Sequence, residues 1–121
     1  PVRAFEQLGS RVSGWLLDPW SRGEAGRHPL WAWVSGRWGP ERAVPAAPAA
    51  ILEGVGLAGP ALRVHAALTV WVDADPVERR SRVAARDGHD VDAQMARWRE
   101  REDAWHRHDG TAAACDVRAT T

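Results

Sequence analysis

Apolar positions recur along residues 3–17 at Phe5, Leu8, Val12, Trp15 and Leu16, the spacing of one helical face, and predict a helix there. Gly9 and Gly14 oppose it, because a glycine costs about 1 kcal/mol in a helix interior. Between 18 and 40 the pattern dissolves among Pro19, Gly23, Gly26, Pro29, Gly36, Gly39 and Pro40, which predicts loop with a short helix around Leu30–Trp38. Residues 40–48 hold three prolines and read as an extended connector. Ala49–Val55 is a short apolar run with strand character, interrupted by Glu53, and Gly59-Pro60 opens a short helix. Leu68–Ala74 is β-branched and nearly continuous in hydrophobicity, which predicts a strand covered on both faces. Asp75 and Pro76 form an N-cap and first turn for a helix that Gly88 ends. A further helix is predicted from Asp90 to about His108, with Val91, Met95, Trp98, Glu102 and Trp105 along one face. Asp116–Ala119 reads as a last short strand. Such an order predicts one α/β domain over residues 1–121, built on a parallel sheet.

Composition narrows the class. The chain has 121 residues, 45% hydrophobic and 26% charged, which suits a folded domain rather than a disordered one. The formal net charge is zero, so no nucleic-acid partner is expected, and no apolar run approaches membrane-spanning length, so no membrane partner is expected either. One cysteine, Cys115, and no export segment make the cytoplasm the expected location. All 16 basic residues are arginine, so these residues hold no complete lysine-bearing phosphate loop. A first residue of proline, not methionine, reads as a fragment or a processed product. Eight tryptophans stand against one phenylalanine and no tyrosine. Packing is the expected role of Trp15, Trp71, Trp98 and Trp105.

Three groupings can carry chemistry. Glu53 lies within ILEGVG, where a carboxylate at a strand end either works on a ligand or reaches solvent; Gly54 and Gly56 would let a phosphate approach. Arg79, Arg82 and Arg86 share a sector of one helix, opposite Val77 and Ala84. Guanidinium forks match phosphate oxygens, the alternative being a solvated basic face offset by Glu78 and Asp87. From Asp18 to Trp38, Arg22, Arg27 and Arg37 interleave with Trp20, Trp31, Trp33 and Trp38, a surface for a nucleoside or sugar or else a loop pinned by its tryptophans. His89, His106, His108 and Asp109 make a poor zinc set, because a two-residue spacing puts His106 and His108 on different sides of a helix. Cys115 reads as a packed thiol.

Taken in order, these segments resemble the nucleoside-kinase branch of the P-loop NTPases, most closely the uridine-kinase-like ATP-binding proteins of actinobacteria. WLLDPW and GEAGR (Trp15–Trp20, Gly23–Arg27) resemble the segment before the family's aromatic-Asp-Trp motif, matched here by Trp31-Ala32-Trp33. ILEGVG resembles its Walker-B-like Glu-Gly strand, and Val70–Gly88 its strand and arginine-rich lid helix ending in Arg-Asp. The helix with Trp98, Glu102 and Asp103, then Cys115-Asp116-Val117, resembles its C-terminal helix and last strand.

The resemblance implies a three-layer α/β sandwich with a parallel sheet, lacking here the first strand and the phosphate loop. It implies transfer of a phosphoryl group from ATP, with Mg2+, to a hydroxyl of a nucleoside-like small molecule. Glu53 would hold the magnesium shell through water; Arg79, Arg82, Arg86 and Asp87 would form the lid over the phosphates. Trp33, Arg37 and Arg27 would face the acceptor, on an acceptor-side loop and connector spanning 18–48. Ala32 replaces the motif's aspartate, and an arginine expected before the last strand is missing among Ala112–Ala114.

Three functions therefore stand side by side. The first is the C-terminal portion of a nucleoside-kinase-like phosphotransferase, inactive unless a Walker A segment completes it. The second is a degenerate relative that binds without transferring. The third is a tryptophan-rich carbohydrate- or nucleic-acid-binding domain, for which the lid and Glu-Gly patterns would be coincidence. A sheet without its first strand would also expose pairing groups and apolar faces, which predicts marginal stability or self-association through the open edge.

Overall fold

The computed structural model describes residues 3–32, 35–88 and 92–121. The chain opens with helix α1 (Arg3–Val12), which runs without a break into a π-helical segment (Ser13–Leu17) and then α2 (Asp18–Ser21). The widened turn has a cause in the sequence. Pro19 has no N–H for the Trp15 carbonyl four residues back, and its ring presses on that turn. Bonding shifts by one residue, so that the Asp18 N–H donates to the Ser13 carbonyl. Gly9 is explained by packing: a β-carbon there would meet the Ala61 β-carbon at 2.7 Å, so α1 approaches the helix that starts at Pro60 closely. Gly26 is the second such place, where a side chain would lie 2.6 Å from the Trp15 carbonyl oxygen.

The largest departure from expectation follows. In place of loop and a helix around Leu30–Trp38, strands β1 (Gly26–Ala32) and β2 (Arg37–Val44) form an antiparallel hairpin, and most of the expected acceptor-side loop is this hairpin. Pro29 is accommodated where the register shifts between Pro29 and Trp31, the kind of irregularity in which a strand tolerates proline. Trp31 lies opposite Trp38 with ring centroids 5.1 Å apart, and Trp38 also meets Trp15 edge-on at 5.7 Å. Trp20 donates its indole N–H to the Val44 carbonyl at 3.0 Å. Tryptophan anchors thus pin the hairpin to the π-helical segment and α2.

The stretch Ala49–Val55 is not a strand. It has no regular structure up to Glu53, then bends and turns from Gly54, with Ile51 94% exposed. No described strand lies beside it to take its backbone bonds. The short helix α3 (Pro60–Arg63) begins where Gly59-Pro60 placed it.

The second half follows its local signals closely. Strand β3 (Val70–Asp73) leads to helix α4 (Pro76–Asp87); the Asp75 carboxylate accepts from the Val77 and Glu78 N–H groups at 2.8 and 3.3 Å. At its far end the Gly88 N–H donates to the Ala84 carbonyl. Asp75→Ala is expected to cost about 1 kcal/mol, read as a lower thermal midpoint without a change in fold. Helix α5 (Asp92–Asp109) follows; the expected start at Asp90 and the stripe residue Val91 lie outside the described residues. A single turn, α6 (Thr111–Ala114), precedes β4 (Val117–Thr120), which pairs parallel with β3, Val70 beside Val117 and Asp73 beside Thr120. Asp116 and Thr69 lock that register reciprocally: the carboxylate takes the Thr69 N–H and hydroxyl, each at 2.7 Å, and the Asp116 N–H reaches the Thr69 oxygen.

Among the described residues the fold is mixed α/β with two small sheets, one of them a parallel pair. β3 is not covered on both faces as its hydrophobicity predicts. Trp71 turns toward α5, while Val72 on the other face is 61% exposed. A parallel pair needs a layer on each side, and among the described residues only one face has it. The buried apolar side chains described are Val12, Leu62, Ala74 and Trp105, a thin core. The apolar stripe of α5 is buried only at Trp105, with Trp98 on the surface. No helix of the described residues is long and apolar enough to cross a membrane.

Candidate functional site

In α/β folds, ligands bind beyond the carboxyl ends of parallel strands. The carboxyl end of β3 is Asp73, and the turn after it feeds directly into α4. Helical spacing sets Arg79 and Arg82 on the side of α4 that faces this edge. Arg79 Nη1 lies 3.9 Å from Asp73 Oδ1. Its Nε is buried and has no hydrogen-bond partner among the described residues. Arg82 donates Nε to Glu78 at 2.9 Å and Nη1 to the Thr121 hydroxyl at 3.1 Å. The Thr121 N–H in turn donates to the Asp73 carbonyl at 2.9 Å, so both arginines meet the ends of β3 and β4. Arg86, a turn further on, forks onto Asp87 at 2.8 and 2.6 Å. The hydrogen bond and the charge of Arg86 hold the Asp87 carboxyl below its ordinary range.

Behind Arg79 lies a polar chain that residue patterns do not announce. Glu102, on α5, is 3.9 Å from His106 Nε2. Burial pushes the Glu102 carboxyl up, the Arg79 charge opposes this, and the Asp103 and Asp73 charges add to it. Burial pushes His106 down, against the pull of Asp109 and Asp103. Trp71 of β3 meets the His106 ring edge-on at 4.7 Å. His106 Nδ1 is 3.1 Å from the Thr111 hydroxyl, which donates to Asp109. Arg63 of α3 closes the chain, donating Nη1 to Asp109 at 2.8 Å and to the Ala58 carbonyl at 2.7 Å.

The other expected residues stand apart. Glu53 is exposed on its irregular segment and forms no hydrogen bond or ion pair with a described residue. Arg27 is at the base of the hairpin, beside Ala43, and Arg37 is next to its turn, beside Ala32. Five residue steps along the strand separate these positions, about 16 Å. Trp33 lies outside the described residues. Thus Arg79 and Arg82 meet at one edge, with Arg86 and Asp87 farther along the same helix, while the acceptor-side group is not gathered. Among the described residues no group of three or more His, Cys, Asp or Glu could hold a metal ion; His106 is half-buried and His108 exposed. Sequence reading missed Glu102, Asp109 and Thr111 as parts of one network. Glu102 did carry a signal, being the one carboxylate in an otherwise apolar stripe.

No protein-family model, curated protein or solved structure matches the chain.

Proposed function

We propose that the chain carries the arginine-bearing, phosphate-closing part of a nucleoside-kinase-like phosphotransferase, its β3–β4 pair belonging to the parallel sheet of a P-loop NTPase-like three-layer sandwich. One observation carries this reading: Arg79 and Arg82 of α4 reach the carboxyl end of the parallel pair, where Asp73 and Thr121 lie. A buried guanidinium Nε without a partner fits an anion, since an ionised donor left unsatisfied is costly. The bound ATP and Mg2+ would supply a transferable phosphoryl group and part of its charge neutralisation. Arg79 and Arg82 bind and orient phosphate oxygens, with Arg86 and Asp87 completing the lid. Glu53 suits a water-mediated magnesium contact, because its oxygens are open and uncommitted. Trp33, Arg37 and Arg27 keep the acceptor side for a nucleoside-like small molecule. The uncovered Val70, Val72 and Val117 also support self-association at the β3–β4 pair.

A second reading has an observation of its own. Arg79, Arg82 and Arg86 already meet Asp73, Glu78 and Asp87, which suits a relative that keeps the scaffold without transferring anything. Calorimetric titration with Mg-ATP separates these ideas. Arg79→Ala or Arg82→Ala is expected to weaken binding by about tenfold, the effect of one charge-assisted fork. Equal affinity in the wild type and both variants would remove the lid role, and no binding by the wild type would remove the nucleotide.

A further inference from the structure

Thr111 is 1% exposed, and its hydroxyl has a single proton to give. That proton goes to Asp109, whose carboxylate Arg63 holds ionised. Burial alone would raise the Asp109 carboxyl, but the Arg63 and Thr111 bonds outweigh it and keep it below its ordinary range. The Thr111 oxygen is left to accept from His106 Nδ1. Neutral His106 therefore carries its proton on Nδ1, and its Nε2 lone pair faces Glu102 Oε1 at 3.9 Å. The pair is part-buried. Asp73, 3.9 Å from Arg79, is two residues beyond Trp71 on β3, whose ring meets His106, and Glu102 is one turn before His106 on α5. The charges of Arg79, Asp73, Arg99 and Asp103 act on Glu102, and those of Asp109 and Asp103 on His106, which also meets Thr111 on α6.

We propose that Glu102 and His106 hold one proton between them, and that its loss commits the Glu102 carboxylate to Arg79, so that the anion affinity of the Arg79 edge falls as pH rises. With the proton present, a neutral Glu102 donates to Nε2 and the contact tightens to a hydrogen bond. Arg79 then has only Asp73 among the described residues to answer it, and the exposed part of its guanidinium, on a side chain 41% exposed, can take an anion. With the proton gone, Glu102 competes for that guanidinium. Linkage is reciprocal, so an anion on Arg79 raises the affinity of the pair for its proton by the same factor. The anion class rests on the reading above; the shared proton does not.

Nuclear magnetic resonance on the whole chain tests both parts. The imidazole nitrogens of His106 should report the Nδ1–H tautomer, and Glu102→Gln should displace the His106 titration. An Nε2–H tautomer, or a His106 titration unmoved by Glu102→Gln, would overturn the shared proton, and the tautomer needs no variant. Sulfate is the anion probe, because it keeps its charge from pH 5 to 8. Followed at the Arg79 Nε–H, its binding should weaken by roughly tenfold over that range, the equivalent of one pKa unit of coupling. Glu102→Gln should remove the pH dependence and leave the tight value throughout. The same slope in both proteins, or no sulfate binding at Arg79, would refute the competition. Sulfate binding with the expected slope but no binding of Mg-ATP would discard only the nucleotide reading.

Discussion

Replacing Trp105 with alanine is expected to remove about 4 kcal/mol of stability, the typical cost of emptying a buried aromatic site. Trp105 is 5% exposed, and its ring lies 3.4 Å from the position a β-carbon would take on Gly59. It is the one large aromatic among the buried side chains described, and it joins α5 to the start of α3. Folded domains hold only about 5–15 kcal/mol in total, and a core this thin belongs at the low end. The variant should therefore have lost most of its cooperative unfolding transition in urea, followed by far-ultraviolet circular dichroism. Trp105→Phe, which keeps an aromatic ring in place, should recover the larger part. A midpoint for Trp105→Ala within error of the wild type would show that packing elsewhere holds the fold.

Asp109→Asn is expected to cost about 3 kcal/mol, because breaking one side of a buried ion pair strands the other. The Asp109 side chain is 4% exposed and that of Arg63 21%. Asparagine cannot neutralise Arg63, and its NH2 group would replace one carboxylate oxygen, turning a donor toward Arg63 Nη2 if the amide oxygen keeps the bonds from Arg63 Nη1 and Thr111. The effect carries a pH signature. The native carboxyl titrates below its ordinary value of 3.8, so the unfolded chain takes up the proton first as pH falls. Its contribution is fully present above the unfolded value and is lost as pH drops through the folded one. The stability difference between wild type and Asp109→Asn should thus be large at pH 7 and shrink below pH 4. A difference independent of pH would assign the loss to packing instead of charge.

Local signals were legible where a few neighbouring residues decide the outcome. Asp75-Pro76 starts α4 because the carboxylate caps the N–H groups two and three residues on, and the ring already holds a helical φ. The same holds for Gly59-Pro60 and α3, and for the helix ending near His108. The hairpin was not legible, because Pro29, Gly36 and Gly39 are breakers in isolation. What makes Pro29 and Gly39 strand residues, with Gly36 in the turn between, is the cross-strand pairing of Trp31 with Trp38 and the edge contact with Trp15. Ile51–Glu53 failed in the opposite direction. Its hydrophobicity suits a strand, but a strand exists only where a partner offers backbone groups.

The sequence by itself determined α1, α3, α4 and α5, the parallel β3–β4 grammar and the arginine face of α4, since helical period and capping are short-range properties of the chain. Tertiary structure alone decided that Arg79 and Arg82 meet Asp73 and Thr121 at the carboxyl edge. It alone joined Arg63, Asp109, Thr111, His106 and Glu102. Forty-six positions separate Arg63 from Asp109, and no pattern along a chain records which distant charges folding brings within 3 Å. Burial then sets what those groups do, because the cost of a charge depends on how much water packing leaves around it.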